Sequence, residues 1–331
     1  MTIGLIGAGS VAESVLDAVS QIPEMKIKAI GATANGLEKM QRLAWRFSID
    51  RIYCECDQMV EDDDLTCIYV ATPNHLHYQY TKMALMAGKH VICEKPFCSN
   101  TDQLVELIEF AREKQLFLFE AISNQYYPNY QKVQELMPEL GTIKLVELNY
   151  SQLSKRYSPF KNGEYATVFD HTKSGGALMD LNVYNIHFVV GLFGKPDRVR
   201  YYANVFHGVD TSGTLVLEYP EFVCVASAAK DCAGPCRIAI QGEEGYIYSD
   251  EPSNLFRSFS LKRNLQESEC FALNGDYPIT QRFIHEYRAF VDMVRRNDTN
   301  QNMKRLEHSL CVQQILDEAR ICAGIQIMGG A

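Results

Sequence analysis

Short apolar runs alternate with amphipathic stretches over residues 1–121. Residues 2–6 are a short apolar run, followed by a helical pattern over 10–20 with Val11, Val15, Ala18 and Val19 on one side. The same alternation predicts strands at 26–32, 52–54, 66–71, 89–93 and 116–119, with helices at 36–47, up to about 87, and at 101–114. Strands separated by helices imply a parallel sheet with right-handed crossovers.

The pattern then changes. A helix near 130–137 is followed by a strand at 142–150. Later segments alternate with period two: Leu215/Leu217/Tyr219, Phe222/Cys224/Ala226/Ala228, Ile238/Ile240, and the stretch 255–261. That is the signature of an antiparallel sheet with one face covered by helices. Helices near 281–296 and 304–323 close the chain. In the first of these, Phe283, Tyr287, Phe290, Val291 and Val294 make an apolar stripe. The reading is an α/β domain with a parallel sheet at 1–121 and an α+β domain with a mostly antiparallel open sheet at 122–331.

Bulk properties narrow the function. A chain of 331 residues is long for one core. A net charge of -9 opposes non-specific nucleic-acid binding, which needs Lys and Arg to neutralise phosphates. No apolar run reaches spanning length and no basic-then-apolar leader is read at the N-terminus, so a cytoplasmic protein that neither enters nor rests on a membrane is expected. The eleven cysteines lie often in apolar runs, as at Cys67, Cys93, Cys224, Cys311 and Cys322, and are expected as reduced, buried thiols. Cys54/Cys56 and Cys232/Cys236 lack zinc-ligand spacing, so no metal is expected.

The first strand runs into Gly7-Ala8-Gly9-Ser10-Val11-Ala12, a G-x-G-x-x-A turn at a helix start. Gly7 allows the tight turn. Gly9 lets a pyrophosphate approach the backbone, and Ala12 lets helix and strand pack. Free N–H groups and the helix dipole then face the phosphate. The second strand ends at Thr33-Ala34-Asn35 with no carboxylate for a ribose 2′-hydroxyl and no arginine for a 2′-phosphate. NAD and NADP both stay open; NADP is favoured because nothing there repels the extra phosphate. Thr72, Pro73, Asn74 and His77 form the next strand-to-helix turn, where Pro73 ends the strand and Asn74 caps the helix.

His90-Val91-Ile92-Cys93-Glu94-Lys95-Pro96 is a buried strand ending in a charged pair and a proline. Lys95 there can stabilise an alkoxide as hydride leaves carbon, or pair with Glu94 at a surface. Alternation turns the Glu94 side chain to the opposite face, a structural place beside the cofactor loop. Gly175-Gly176 opens a helix on which Asp180, Tyr184 and His187 fall at i, i+4 and i+7, one stripe of an α-helix.

These motifs in order resemble the glucose–fructose oxidoreductase and inositol dehydrogenase (Gfo/Idh/MocA) family: G-x-G-x-x-A, Ala71–His77 as A-T-P-N-x-x-H, Gly88–Pro96 as G-K-H-V-x-x-E-K-P, Glu120-Ala121 with Pro128, and Gly175–Asp180. The resemblance covers essentially the whole chain. It implies a nicotinamide cofactor, oxidation or reduction at a secondary alcohol or carbonyl of a sugar, polyol or dihydrodiol-like substrate, and a homodimer or higher oligomer through the open sheet. It places Tyr184 at the acid/base position of the tyrosine-containing branch. A free phenol has a pKa of about 10, which an adjacent ammonium such as Lys95 lowers. Asp180 then orients Lys95 or a substrate hydroxyl. His187 either assists or is a hydrogen-bonded core residue. Three positions depart from the pattern: Asn182 replaces a glycine, Gln125 an arginine, and the second-strand tip is neutral. Lys155, Arg156, Tyr157 and Tyr165 are candidate pocket residues in a loop-like stretch. The competing class is a non-catalytic dinucleotide sensor, which has no need to keep Lys95, Asp180 and Tyr184 together.

Overall fold

The computed structural model describes residues 1–326 and divides the chain into two units. One is Met1–Ala121 with Tyr277–Leu310, and the other is Ile122–Asp276 with the chain from Cys311 onward. The return of Tyr277–Leu310 to the first unit corrects the expected division into 1–121 and 122–331.

The first unit carries six parallel strands: β1 (Thr2–Ile6), β2 (Lys26–Gly31), β3 (Arg51–Tyr53), β4 (Cys67–Val70), β5 (His90–Glu94) and β6 (Leu118–Ala121). Their order is β3-β2-β1-β4-β5-β6. The chain winds outward from β1 in both directions, so a crevice opens between the loops after β1 and β4, the switch point where doubly wound sheets bind ligands. The central strands β1 and β4 are buried on both faces and read as short apolar runs. Ile6, Ile68, Val70, Val91, Cys93 and Leu118 build the core with Leu104 and Leu107 from the helix Thr101–Glu113. That helix is capped by the Asn100 side chain, which accepts from Gln103 N.

The C-terminal return packs its apolar stripe against this sheet. In the helix Ile284–Arg296, Phe290 stacks on Phe119 at 4.4 Å, and Tyr287 meets Tyr69 edge-on at 5.8 Å. Asn302 donates to the Leu118 carbonyl at 2.9 Å. Hydrophobic periodicity predicts these helices but not which sheet they cover.

The second unit holds β7 (Ile143–Ser151), β8 (Arg198–Phe206), β9 (Val209–Glu218), β10 (Val223–Ala229), β11 (Arg237–Gly242), β12 (Gly245–Ser249), β13 (Phe259–Arg263) and β14 (Ser268–Phe271). The order is β14-β13-β12-β11-β7-β10-β9-β8. All pairings are antiparallel except β10 with β7. Val146, Leu148, Leu215, Leu217, Cys224, Ala226, Ile238 and Ile240 face inward to meet the buried helix Val183–Phe193. The outward face carries exposed Tyr202, Val223, Tyr246 and Tyr248.

Several expectations are corrected here. The stretch expected as a strand at 255–261 is strand only from Phe259. The stretch His171–Phe193 is long and apolar enough, by length and composition, to cross a membrane, but 78% of an 18-residue apolar segment within it is buried inside the protein, as in a core helix. All eleven cysteines are free thiols; Cys67, Cys93 and Cys224 are buried, whereas Cys311 is half-buried and Cys322 exposed.

Candidate active site

The cofactor loop is built by backbone requirements. Gly7 has φ +118°, and a Cβ there would run into the Ala71 carbonyl. Only glycine accepts that conformation and that approach. The Gly7 N–H donates to the Gly31 carbonyl at 2.7 Å, which draws the loops after β1 and β2 together. Gly9, by contrast, has no heavy atom near its Cβ position and stands at the N-cap of the helix Ser10–Val19 with no side-chain cap. Gly9 and Ser10 are exposed, Val11 is half-buried and Ala12 is buried against the sheet. Across the crevice, the Thr72 hydroxyl is buried with no hydrogen-bond partner among the described residues. An uncapped helix start, open space over Gly9 and an orphaned hydroxyl fit the diphosphate and ribose of a dinucleotide.

Thr33 and Asn35 are exposed in the turn after β2, and Lys39 follows, also exposed, on the helix Leu37–Phe47. Pro73 is exposed and Asn74 opens the short 3₁₀ turn Asn74–Leu76. His77 behaves differently from its neighbours. It is fully buried, with Nδ1 at 2.8 Å from the Pro96 carbonyl and Nε2 at 2.9 Å from the Thr72 carbonyl. The ring therefore lies between the two loops that follow β4 and β5 and contacts a carbonyl of each. Burial holds its pKa below the usual value, and the charge of Lys95 adds to this against the pull of the two carbonyls.

Lys95 stands half-buried directly after β5, and its bond to Pro96 is cis. Glu94 points into the unit instead, where Tyr69 Oη donates to Oε1 at 2.8 Å. Tyr69 also bonds Tyr287 Oη at 2.8 Å. Burial raises the Glu94 pKa, opposed by the Tyr69 hydrogen bond and by the charges of Lys95 and Arg282. Its side chain is a buried support for the strand end, the structural place that alternation gave it. Nearby, Glu286 is fully buried with neither carboxyl oxygen partnered among the described residues. Burial, reinforced by the charge of Glu94, pushes its pKa well up.

In the second unit, Leu178–Asn182 forms a π turn that leads into the α-helix Val183–Phe193. The extra residue of a π turn breaks the i, i+4 relation from Asp180 to Tyr184. The expected single stripe is thus corrected: only Tyr184 and His187 share α-helical spacing. Tyr184 is 6% exposed, and His187 is fully buried. Asp180 is a third exposed, and its Oδ2 accepts from Lys230 Nζ at 2.7 Å.

The helix is fixed at its backbone by buried amides. Asn124 Nδ2 donates to the Tyr184 carbonyl and Gln125 Nε2 to the His187 carbonyl, each at 2.8 Å. Gln125, in place of the pattern's arginine, is thus a helix anchor. Asn182 Nδ2 donates to the Ala226 carbonyl at 3.0 Å, tying the π turn to β10. Asp210 holds the start of the turn, accepting from Leu178 N at 2.6 Å and Tyr201 Oη at 2.8 Å. Lys155 and Arg156 are exposed and Tyr157 is half-buried. Tyr165 lines a surface cleft of 350 Å³ with Phe160, Phe169, Asp170, His171 and His207. Among the described residues no group of three His, Cys, Asp or Glu side chains could hold a metal ion.

Lys230, Asp210, Asn124 and Tyr69 were not singled out in the sequence. Lys230 ends an apolar strand run, the one local signal that it is buried, whereas Asp210 stands among polar residues at the start of β9 and carries none.

Comparison with known proteins accords with this geometry. Residues 1–122 match the oxidoreductase family with an NAD-binding Rossmann fold, and residues 130–248 match the GFO/IDH/MocA C-terminal domain. The scyllo-inositol 2-dehydrogenase (NADP(+)) IolU of Bacillus subtilis is 29% identical over 97% of this chain and 96% of its own. The trans-1,2-dihydrobenzene-1,2-diol dehydrogenase of Mus musculus is 25% identical over 97% of this chain and 96% of its own. The structure of a levoglucosan dehydrogenase in complex with NADH and levoglucosan superposes with a TM-score of 0.84 at 18% identity, covering 98% of this chain and 97% of that one. The chain belongs to the Gfo/Idh/MocA family of NAD(P)-binding oxidoreductases.

Proposed function

We propose that this protein is an NAD(P)-dependent dehydrogenase or reductase. It moves hydride between the nicotinamide and the secondary alcohol or carbonyl carbon of a sugar, polyol or dihydrodiol-like substrate. The observation that carries the reading is the crevice of the first unit. The constrained Gly7, the open Gly9 and the buried Thr72 hydroxyl meet at the switch point of the sheet, and Lys95 ends β5 beside β4. NADP is the preferred cofactor. The support is the absence of any carboxylate at Thr33–Asn35, together with the NADP(+) in the name of the Bacillus subtilis relative.

When bound, the nicotinamide supplies the acceptor or donor of hydride. The remaining work falls to the chain. Gly9 and the N-terminus of the helix Ser10–Val19 bind phosphate through backbone N–H groups. Lys95 places a positive charge where the substrate oxygen becomes negative. Tyr184 takes up or gives back the proton of that oxygen, and Asp180 accepts from a substrate hydroxyl. His187, fully buried in the helix, supports the fold of that segment.

We also propose that the protein works in the cytoplasm as a homodimer or larger homo-oligomer. Eleven thiols without a disulfide support the compartment. The exposed Tyr202, Val223, Tyr246 and Tyr248 on the open sheet face support the association.

The test is a titration of NADPH and NADH fluorescence, followed by turnover of a panel of aldoses, inositols and cyclic diols. Tight NADPH binding with oxidation or reduction of one class is the expected result. Binding with no turnover of any class would instead favour a dinucleotide sensor.

A further inference from the structure

We infer that Lys230 is a positioning residue that holds Asp180 aimed at a hydroxyl-bearing substrate; this rests on the oxidoreductase reading above. Lys230 follows β10, and its side chain is only 3% exposed. An ammonium group so placed persists only with partners. It has three: Asp180 Oδ2 at 2.7 Å, the Val168 carbonyl at 3.1 Å, and the face of Phe169 at 4.9 Å. Its backbone N–H is fixed as well, donating to the Thr211 carbonyl at 2.8 Å.

The asymmetry of the pair carries the argument. Lys230 is buried, whereas Asp180 is 33% exposed. An ordinary surface ion pair has two mobile ends and contributes little. Here the cation is the fixed end, and the carboxylate is the end that reaches solvent. The backbone under Asp180 is a π turn, which lacks the regular ladder of an α-helix. A charge-assisted hydrogen bond from a rigid donor fixes one oxygen of the carboxylate. An ionised carboxylate is acceptor-only, so the group it recognises is a donor such as a sugar or polyol hydroxyl.

The experiment compares Lys230→Met, Lys230→Arg, Asp180→Asn and the double variant Lys230→Met/Asp180→Asn. It measures kcat, KM for the alcohol and the NADPH dissociation constant. Lys230→Met is expected to raise KM about tenfold with NADPH affinity unchanged, as for one charge-assisted contact. Lys230→Arg restores most of the loss. In the Asp180→Asn background, Lys230→Met adds little, because the two residues act as one unit. Equal losses in both backgrounds, or an unchanged KM in Lys230→Met, overturn the inference. If the wild type binds NADPH but turns over nothing, the oxidoreductase reading fails separately. Amide exchange at residues 178–184 then decides the matter. Faster exchange in Lys230→Met than in Lys230→Arg supports positioning by Lys230, and equal exchange overturns it.

Discussion

The phenol of Tyr69 donates a 2.8 Å hydrogen bond to the carboxylate of Glu94, one residue before Lys95. Both groups are buried, and Tyr287 from the C-terminal return completes the contact at 2.8 Å. The strand end that precedes Lys95 is thereby held by a segment nearly two hundred residues further along.

Removing that donor isolates a buried carboxyl group. Tyr69→Phe is expected to cost about 1–3 kcal/mol of stability, the usual penalty for a buried polar group that loses its partner. Urea unfolding of the variant against the wild type measures it, and an unchanged midpoint contradicts the assignment.

Glu286 is expected to weaken the fold at neutral and higher pH. Its pKa in the folded state lies well above the ordinary value of 4.5, mainly through burial. The folded state therefore binds a proton that the unfolded state has released, and stability falls as pH rises above the unfolded pKa. Glu286→Gln keeps the shape and cannot ionise. Its Tm is expected to exceed that of the wild type at pH 8 and to converge with it near pH 4. Melting curves across this range check it, and a gap that widens toward low pH contradicts the account.

Asp210 gives a second, narrower window. Burial pushes its pKa from 3.8 up to about 6, opposed by the hydrogen bonds from Leu178 N and Tyr201. The native state again binds the extra proton. Its contribution to stability is complete below pH 3.8 and lost as pH rises through about 6. The difference between the two pKa values corresponds to about 3 kcal/mol. In Asp210→Asn, stability is expected to depend less on pH between 4 and 6. Parallel curves for variant and wild type would remove Asp210 from the list of linked groups.

The two cofactor glycines are expected to fail differently. Gly7→Ala places a Cβ against the Ala71 carbonyl at a positive φ, so it destabilises the fold itself. Gly9→Val enters open space, so the melting temperature is retained while NADPH affinity falls at least about tenfold through steric exclusion of the diphosphate. Thermal melts and fluorescence titration separate the cases. Equal thermal losses in both variants would remove the distinction.

The Rossmann half was legible because short apolar strand cores such as residues 3–6, 67–70 and 91–93 are bounded by turn residues and alternate with amphipathic helices. The edge strands of the other sheet were harder. In β8, Val199 and Tyr201 face in between exposed Arg198, Arg200 and Tyr202, an alternation that fades after two turns of the pleat, and β14 has only four residues. The π turn at Leu178–Asn182 leaves no trace in hydrophobic spacing, so Asp180 and Tyr184 read as neighbours on one α-helical stripe. Lys230 was missed for a related reason. Its partner lies 50 residues away, and a lysine closing a strand looks like a solvated end until the fold buries it. The residue types of the site were visible locally; their supports come from distant segments, which periodicity does not join.

The central claim is that Lys95 and Tyr184 perform the proton and charge work of hydride transfer. The direct measurement is kcat for Lys95→Met and Tyr184→Phe on a substrate that the wild type turns over, with NADPH binding measured beside it. The account predicts that kcat falls by roughly 10²–10⁴ in each variant, as for the loss of a general acid–base or charge-stabilising group, with NADPH affinity retained in Tyr184→Phe. Wild-type kcat in both variants would contradict it.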